Sequence, residues 1–130
     1  MSPRCLAGLA IVVVEDHDDA RKYLDIFLRQ LGAKVMVAGN AFEGLELIKH
    51  SLPDLVLSDI SMPGRDGFGL LCDIRALGPD AGRGVPVIAM TALALQMDRA
   101  AILNAGFNAF LSKPFSPEKL VETILTVLHD

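Results

Sequence analysis

This 130-residue chain has only two cysteines, Cys5 and Cys72, with no CxxC spacing and no neighbouring histidine. That shortage argues against a disulfide scaffold and a thiolate metal centre. It favours a reduced, intracellular chain in which Cys72 is a small hydrophobe at the core edge. Positive charge is also scarce: 12 basic residues face 16 acids, for a net charge of −4, and no basic cluster stands out. A nucleic-acid surface lacks its electrostatic footprint here. Long apolar runs are missing too. The nearest candidate is CLAGLAIVVV after Arg4, which has the length of a signal peptide's apolar region. It runs straight into Glu15 and Asp16 with no small-residue cleavage site, and falls well short of the roughly 20 residues that span a bilayer. A cytoplasmic protein with no membrane and no nucleic-acid contact is expected. No linker, repeat or low-complexity tract interrupts the chain, so residues 1–130 are expected to form a single domain, with a core over about residues 8–129.

What is present suits a folded domain. Hydrophobic residues make up 52% and charged residues 22%, enough to bury a sizeable core. Short apolar runs alternate with helix-period segments. Leu9–Val14, Ala33–Ala38, Asp54–Ser58, Val85–Met90 and Phe107–Leu111 read as strands, apolar on both faces as in a parallel sheet covered on both sides. Between them, Ala20, Leu24, Phe27, Leu28 and Leu31 form the stripe of a first helix that Gly32 stops. Asn40 with Glu43 marks a capping box at the start of a second. A third helix is expected from about Asp66 to Leu77, and a fourth from about Ala92 to Ala105. A last one opens on Ser116 and Pro117, with Leu120, Ile124 and Leu128 on one face. Five strand–helix pairs in strict alternation specify an α/β fold with a doubly wound sheet.

In such sheets ligands bind beyond the carboxyl ends of the strands. Glu15 and Asp16 follow the first strand, Asp59 the third, Thr91 the fourth, and Lys113 with Pro114 the fifth. Three carboxylates in one cleft repel one another unless a cation joins them. An all-oxygen ligand set that leaves room for water suits Mg²⁺, and Mn²⁺ could substitute. Asp59 could then act as a nucleophile toward a phosphoryl group, since carboxylates form aspartyl-phosphates. Lys113 would supply charge to it, and Thr91 a hydroxyl donor. Each residue has a plainer reading: Glu15 and Asp16 as helix-entry acids, Asp59 as a turn residue, Thr91 as a helix cap, Lys113 as loop chemistry. Their common edge of one sheet outweighs those readings taken singly. Asp18 and Asp19 are expected to cap the first helix, and His17, without a histidine or cysteine partner, to be a surface residue.

The pieces VVVED, LSDISMPGRDG, VIAMTA and AFLSKPF, in this order, resemble a response-regulator receiver domain of two-component signalling. The spacings agree: 43 residues from Asp16 to Asp59, 32 on to Thr91 and 22 more to Lys113. The resemblance covers essentially the whole chain and implies a flavodoxin-like strand order, 2-1-3-4-5. It also implies roles. Asp59 matches the phospho-acceptor, Asp16 the direct Mg²⁺ ligand with Glu15 assisting, and Ser61 the backbone carbonyl of the metal shell. Thr91 and Lys113 match the residues that bind phosphoryl oxygens, Pro114 a cis-proline, and Phe110 the switch aromatic. The implied donor is a phosphohistidine on a sensor histidine kinase or histidine phosphotransfer protein, and the face of the fourth helix, fifth strand and fifth helix is the one that responds, toward a downstream protein. Such a chain is a switch and not a conventional enzyme. It could stand alone or come from a hybrid histidine kinase.

Ser61 and Leu93 occupy the positions that tune hydrolysis in the family, and neither offers a carboxylate or amide to orient an attacking water, so phosphate loss is expected to be slow. Leu93, Leu95 and Met97 suggest a partly apolar outer face on the fourth helix. A haloacid-dehalogenase-type phosphatase, which also uses an aspartyl nucleophile, is the alternative. It wants a second acid where Ser61 stands, and its nucleophile follows the first strand of the core. A flavodoxin-like cofactor site would need a hydroxyl- and glycine-rich loop where this chain has EDHDD.

Overall fold

In the computed structural model, residues 4–92 and 99–129 are described. They alternate strand and helix as β1 (Ala10–Val14), α1 (Asp18–Gln30), β2 (Lys34–Ala38), α2 (Ala41–Ser51), β3 (Leu55–Asp59), α3 (Gly67–Arg75), β4 (Val87–Thr91), α4 (Arg99–Asn104), β5 (Ala109–Ser112) and α5 (Pro117–His129). All strand pairs are parallel, in the order β2-β1-β3-β4-β5. The fold is the expected α/β doubly wound sheet with flavodoxin-like order. Strand order reverses beside β1, which places a cleft at the carboxyl ends of β1 and β3.

Strand alternation divides the core in two. Ile11 and Val13 face a layer with Leu24, Leu28, Leu57, Leu120 and Ile124, under α1 and α5. Val12 and Val14 face Ile48, Val56, Leu70, Ile74 and Ile102, under α2, α3 and α4. At about 25 cal/mol per Å² of apolar surface buried, these two layers are the main stabilising term of the fold.

The helix ends show how local chemistry starts each element. Asn40 caps α2: its side-chain oxygen accepts the Glu43 N–H at 2.9 Å. Glu43 reaches back, accepting from the Asn40 side-chain amide at 3.0 Å and the Gly39 N–H at 3.4 Å. Asp66 caps α3 and Ser116 caps α5 in the same way. At α1 the expectation fails. His17 occupies the cap position without a side-chain cap bond, and Asp18 and Asp19 lie inside the first turn. Their charge still favours the positive end of the helix dipole.

Three further expectations change. Cys72 lies on the exposed side of α3, not at the core edge. Leu6, inside the signal-like run, is completely buried, and its N–H donates to the Leu31 carbonyl at 3.0 Å. The last three strands each run one residue further than their apolar runs, because the pairs Asp59↔Met90 and Thr91↔Ser112 extend the ladders. The added residues, Asp59, Thr91 and Ser112, are all polar, which is why the apolar runs stop short of them. Leu93, Leu95 and Met97, and the expected start of the fourth helix at 93–98, lie outside the described residues. Among the described residues, no helix is long and apolar enough to cross a membrane.

Candidate functional site at the carboxyl end of the sheet

Fully buried strands deliver four polar groups to one edge. Glu15, Asp59 and Thr91 are almost completely buried, and Asp16 is half-buried beside them. Lys113 arrives from the end of β5, where its N–H donates to the Thr91 carbonyl at 2.8 Å, and the Lys113–Pro114 bond is cis. Its Nζ donates to Glu15 Oε1 at 2.7 Å and to Asp59 Oδ2 at 3.1 Å. One ammonium therefore holds two carboxylates together across 54 and 98 residues of chain. The second Asp59 oxygen, Oδ1, accepts the Ser61 N–H at 3.2 Å. Ser61 itself is exposed.

Two oxygens in this cluster are buried and have no hydrogen-bond partner: Glu15 Oε2 and Asp16 Oδ1. Orphaned buried acceptors are costly, and beside other acids they are costlier still. Ligand atoms of Glu15, Asp16, His17 and Asp59 all lie within 4.8 Å of one another. Hard oxygen donors of this kind fit a divalent cation that takes carboxylates and water. His17 is largely exposed, as expected, but its Nδ1 sits 3.5 Å from Asp16 Oδ1, so it borders the cluster.

The charges perturb one another. Burial, reinforced by the neighbouring Asp59 carboxylate, pushes the Glu15 carboxyl up to about 7, with Lys113 pulling the other way. Burial also works against the Lys113 ammonium, but its hydrogen bonds to Glu15 and Asp59 prevail and hold its pKa above the usual lysine value.

Several residues shape this site that sequence reasoning passed over. The Arg21 guanidinium donates to the Glu15 carbonyl at 2.9 Å and to Asp18 Oδ1 at 2.5 Å, fixing the turn that carries both site acids. Gly67 brings α3 against the end of β3: a Cβ there would lie 2.5 Å from the Asp59 carbonyl oxygen. This close approach is a tertiary fact that the sequence does not show. Beside Lys113 opens a largely apolar cleft of about 450 Å³, lined by Tyr23, Leu24, Met90, Pro114 and Phe115 among others. Phe110 is half-buried on β5, two residues before Ser112, the partner of Thr91 in the ladder.

A strand-end aspartate held by lysine, with a second pair of acids alongside, on a sheet of this order, defines a class. Residues 11–125 match the family described as response regulator receiver domain, and the chain belongs to it. An uncharacterized 14.6 kDa protein of Leptolyngbya boryana is 44% identical over 92% of this chain and 89% of its own length. Response regulator Rre1 of Synechocystis is 37% identical over 92% of this chain, which spans only 52% of that protein. Among solved structures, the receiver domain of sensor histidine kinase PA1611 from Pseudomonas aeruginosa is similar with a TM-score of 0.85 and 34% identity, covering 95% of this chain and all of that one. That structure has a magnesium ion coordinated in its active-site cleft. The chain is thus a receiver domain of two-component signalling, a switch and not a conventional enzyme.

Proposed function

We propose that residues 1–130 act as one receiver domain that accepts a phosphoryl group on Asp59 from a phosphohistidine. The observation that carries this reading is the Lys113 ammonium shared between Asp59 and Glu15, with two unpartnered buried carboxylate oxygens beside it. Asp59 Oδ attacks phosphorus as the N–P bond of the donor breaks, and the electron pair leaves with the imidazole nitrogen, which takes up a proton. Asp16 and Asp59, with Glu15 assisting and the Ser61 backbone carbonyl, would hold Mg²⁺ or in its place Mn²⁺. Held there, such an ion would supply positive charge to offset the acids and the incoming phosphoryl group. Lys113 transfers its hydrogen bond from the Asp59 carboxylate to a phosphoryl oxygen, and Thr91 offers its hydroxyl to another. Phe110 then turns inward behind Thr91, and the face of α4, β5 and α5 changes toward a downstream partner.

The apolar cleft between Tyr23 and Phe115 supports the same reading, because it gives a donor protein a place to seat apolar side chains beside the reacting imidazole. The partner is a sensor histidine kinase or a histidine phosphotransfer protein, and the setting is cytoplasmic. The haloacid-dehalogenase-type phosphatase reading loses its support, since Asp59 ends the third strand and Ser61 stands where a second acid is needed.

Radiolabel transfer from a phosphorylated histidine phosphotransfer domain tests the proposal. Label should reach the wild-type chain in Mg²⁺, and neither the Asp59→Ala variant nor wild type in chelator. Equal labelling of Asp59→Ala would place the acceptor elsewhere. Without an orienting carboxylate or amide at Ser61 or Leu93, the label should persist for minutes or longer, and loss within seconds would contradict that reading.

A further inference from the structure

We infer that Arg99 is a positioning residue that holds Phe110 in its outward, resting arrangement; this rests on the switch role proposed for Phe110. The Arg99 guanidinium carbon lies 5.8 Å from the centroid of the Phe110 ring. The contact follows from how α4 is seated. Ile102 is fully buried in the layer under α2, α3 and α4, and Arg99 lies one turn before it on the same helix face. The buried isoleucine therefore fixes the turn that carries the cation over the ring. On the sheet side, Phe110 pairs in register with Ala89, and Thr91, two residues on, shares the face of Ala89. The ring packs against this same layer. Phe110 thus has a small residue, Ala89, beside it in the sheet and a cation over its ring. A ring that moves inward behind Thr91 has to leave the guanidinium.

A cation over an aromatic face at a partly exposed site is a modest attraction, which converts to about a two- to fivefold bias in the resting equilibrium. A ligand that selects the minor arrangement binds more weakly by the same factor. The contact therefore sets how much phosphoryl-site occupancy is needed to throw the switch.

Beryllium fluoride with Mg²⁺ serves as a phosphoryl stand-in, and the aromatic NMR signals of Phe110 report the ring. With Arg99→Met, which keeps the length and apolar stem without the charge, half-saturation should come at about two- to fivefold lower beryllium fluoride, with an unchanged end-point shift. Arg99→Lys, which keeps a cation, should fall between Met and wild type. Unchanged amide shifts in β1 and β3 report that the variants fold alike. If Phe110 moves in wild type but Arg99→Met saturates at the wild-type concentration, the latch is overturned and the switch stands. If Phe110 does not move at saturation in wild type, the switch reading fails and the latch with it.

Discussion

Glu15 carries the clearest pH signature of any single residue. Its folded-state pKa is pushed up from 4.5 to about 7, chiefly by burial. Across that interval the metal-free folded chain keeps a proton that the unfolded chain has released. The stabilisation from this group is complete below pH 4.5 and is lost as pH rises through about 7. Urea denaturation of wild type and Glu15→Gln without metal should show the wild-type advantage shrinking through that window; a difference that grows with pH would contradict the assignment. Metal binding needs the ionised acid, so Mg²⁺ affinity should rise over the same range, by isothermal titration. Gly67 carries a second residue-scale prediction. Its missing Cβ admits the Asp59 carbonyl, so Gly67→Ala should destabilise by about 1–3 kcal/mol and shift the amides of Ile60 and Ser61. A neutral result would mean that the turn relaxes freely.

At the scale of elements, the sequence was most legible where one physical signal dominated. The parallel strands are buried on both faces, so they appear as continuous apolar runs, and all five were located to within two residues. Asn40 and Glu43 announced α2 because a capping box is local chemistry. Asn40→Ala should therefore cost about 1 kcal/mol in denaturant titration, with α2 losing amide protection first. What stayed hidden depended on tertiary contact. The EDHDD run gives no sign that His17, and not an aspartate, takes the cap position. Cys72 looked like a core residue because cysteine usually is, yet the face that α3 buries carries Leu70, Leu71 and Ile74. The site acids were legible in turn because each ends or directly follows a strand, whereas the sharing of Lys113 between Glu15 and Asp59 joins residues far apart in the chain.

At the scale of the whole molecule, topology gathers the chemistry. Reversal of strand order beside β1 leaves a cleft at one edge of the sheet, where Glu15 and Asp16 follow β1 and Asp59 ends β3. The rest of the chain supplies two apolar layers that hold those strand ends in register. On the proposed reading, charge moved onto Asp59 would be communicated through Thr91 and β5 to α4, where the Arg99 guanidinium lies over the Phe110 ring. The most direct test is intact-protein mass spectrometry after incubation with acetyl phosphate and Mg²⁺. Wild type should gain the mass of one phosphoryl group, mapped to Asp59, while Asp59→Ala gains nothing. A wild-type chain that stays unmodified, or an Asp59→Ala variant modified to the same extent, would contradict the central claim.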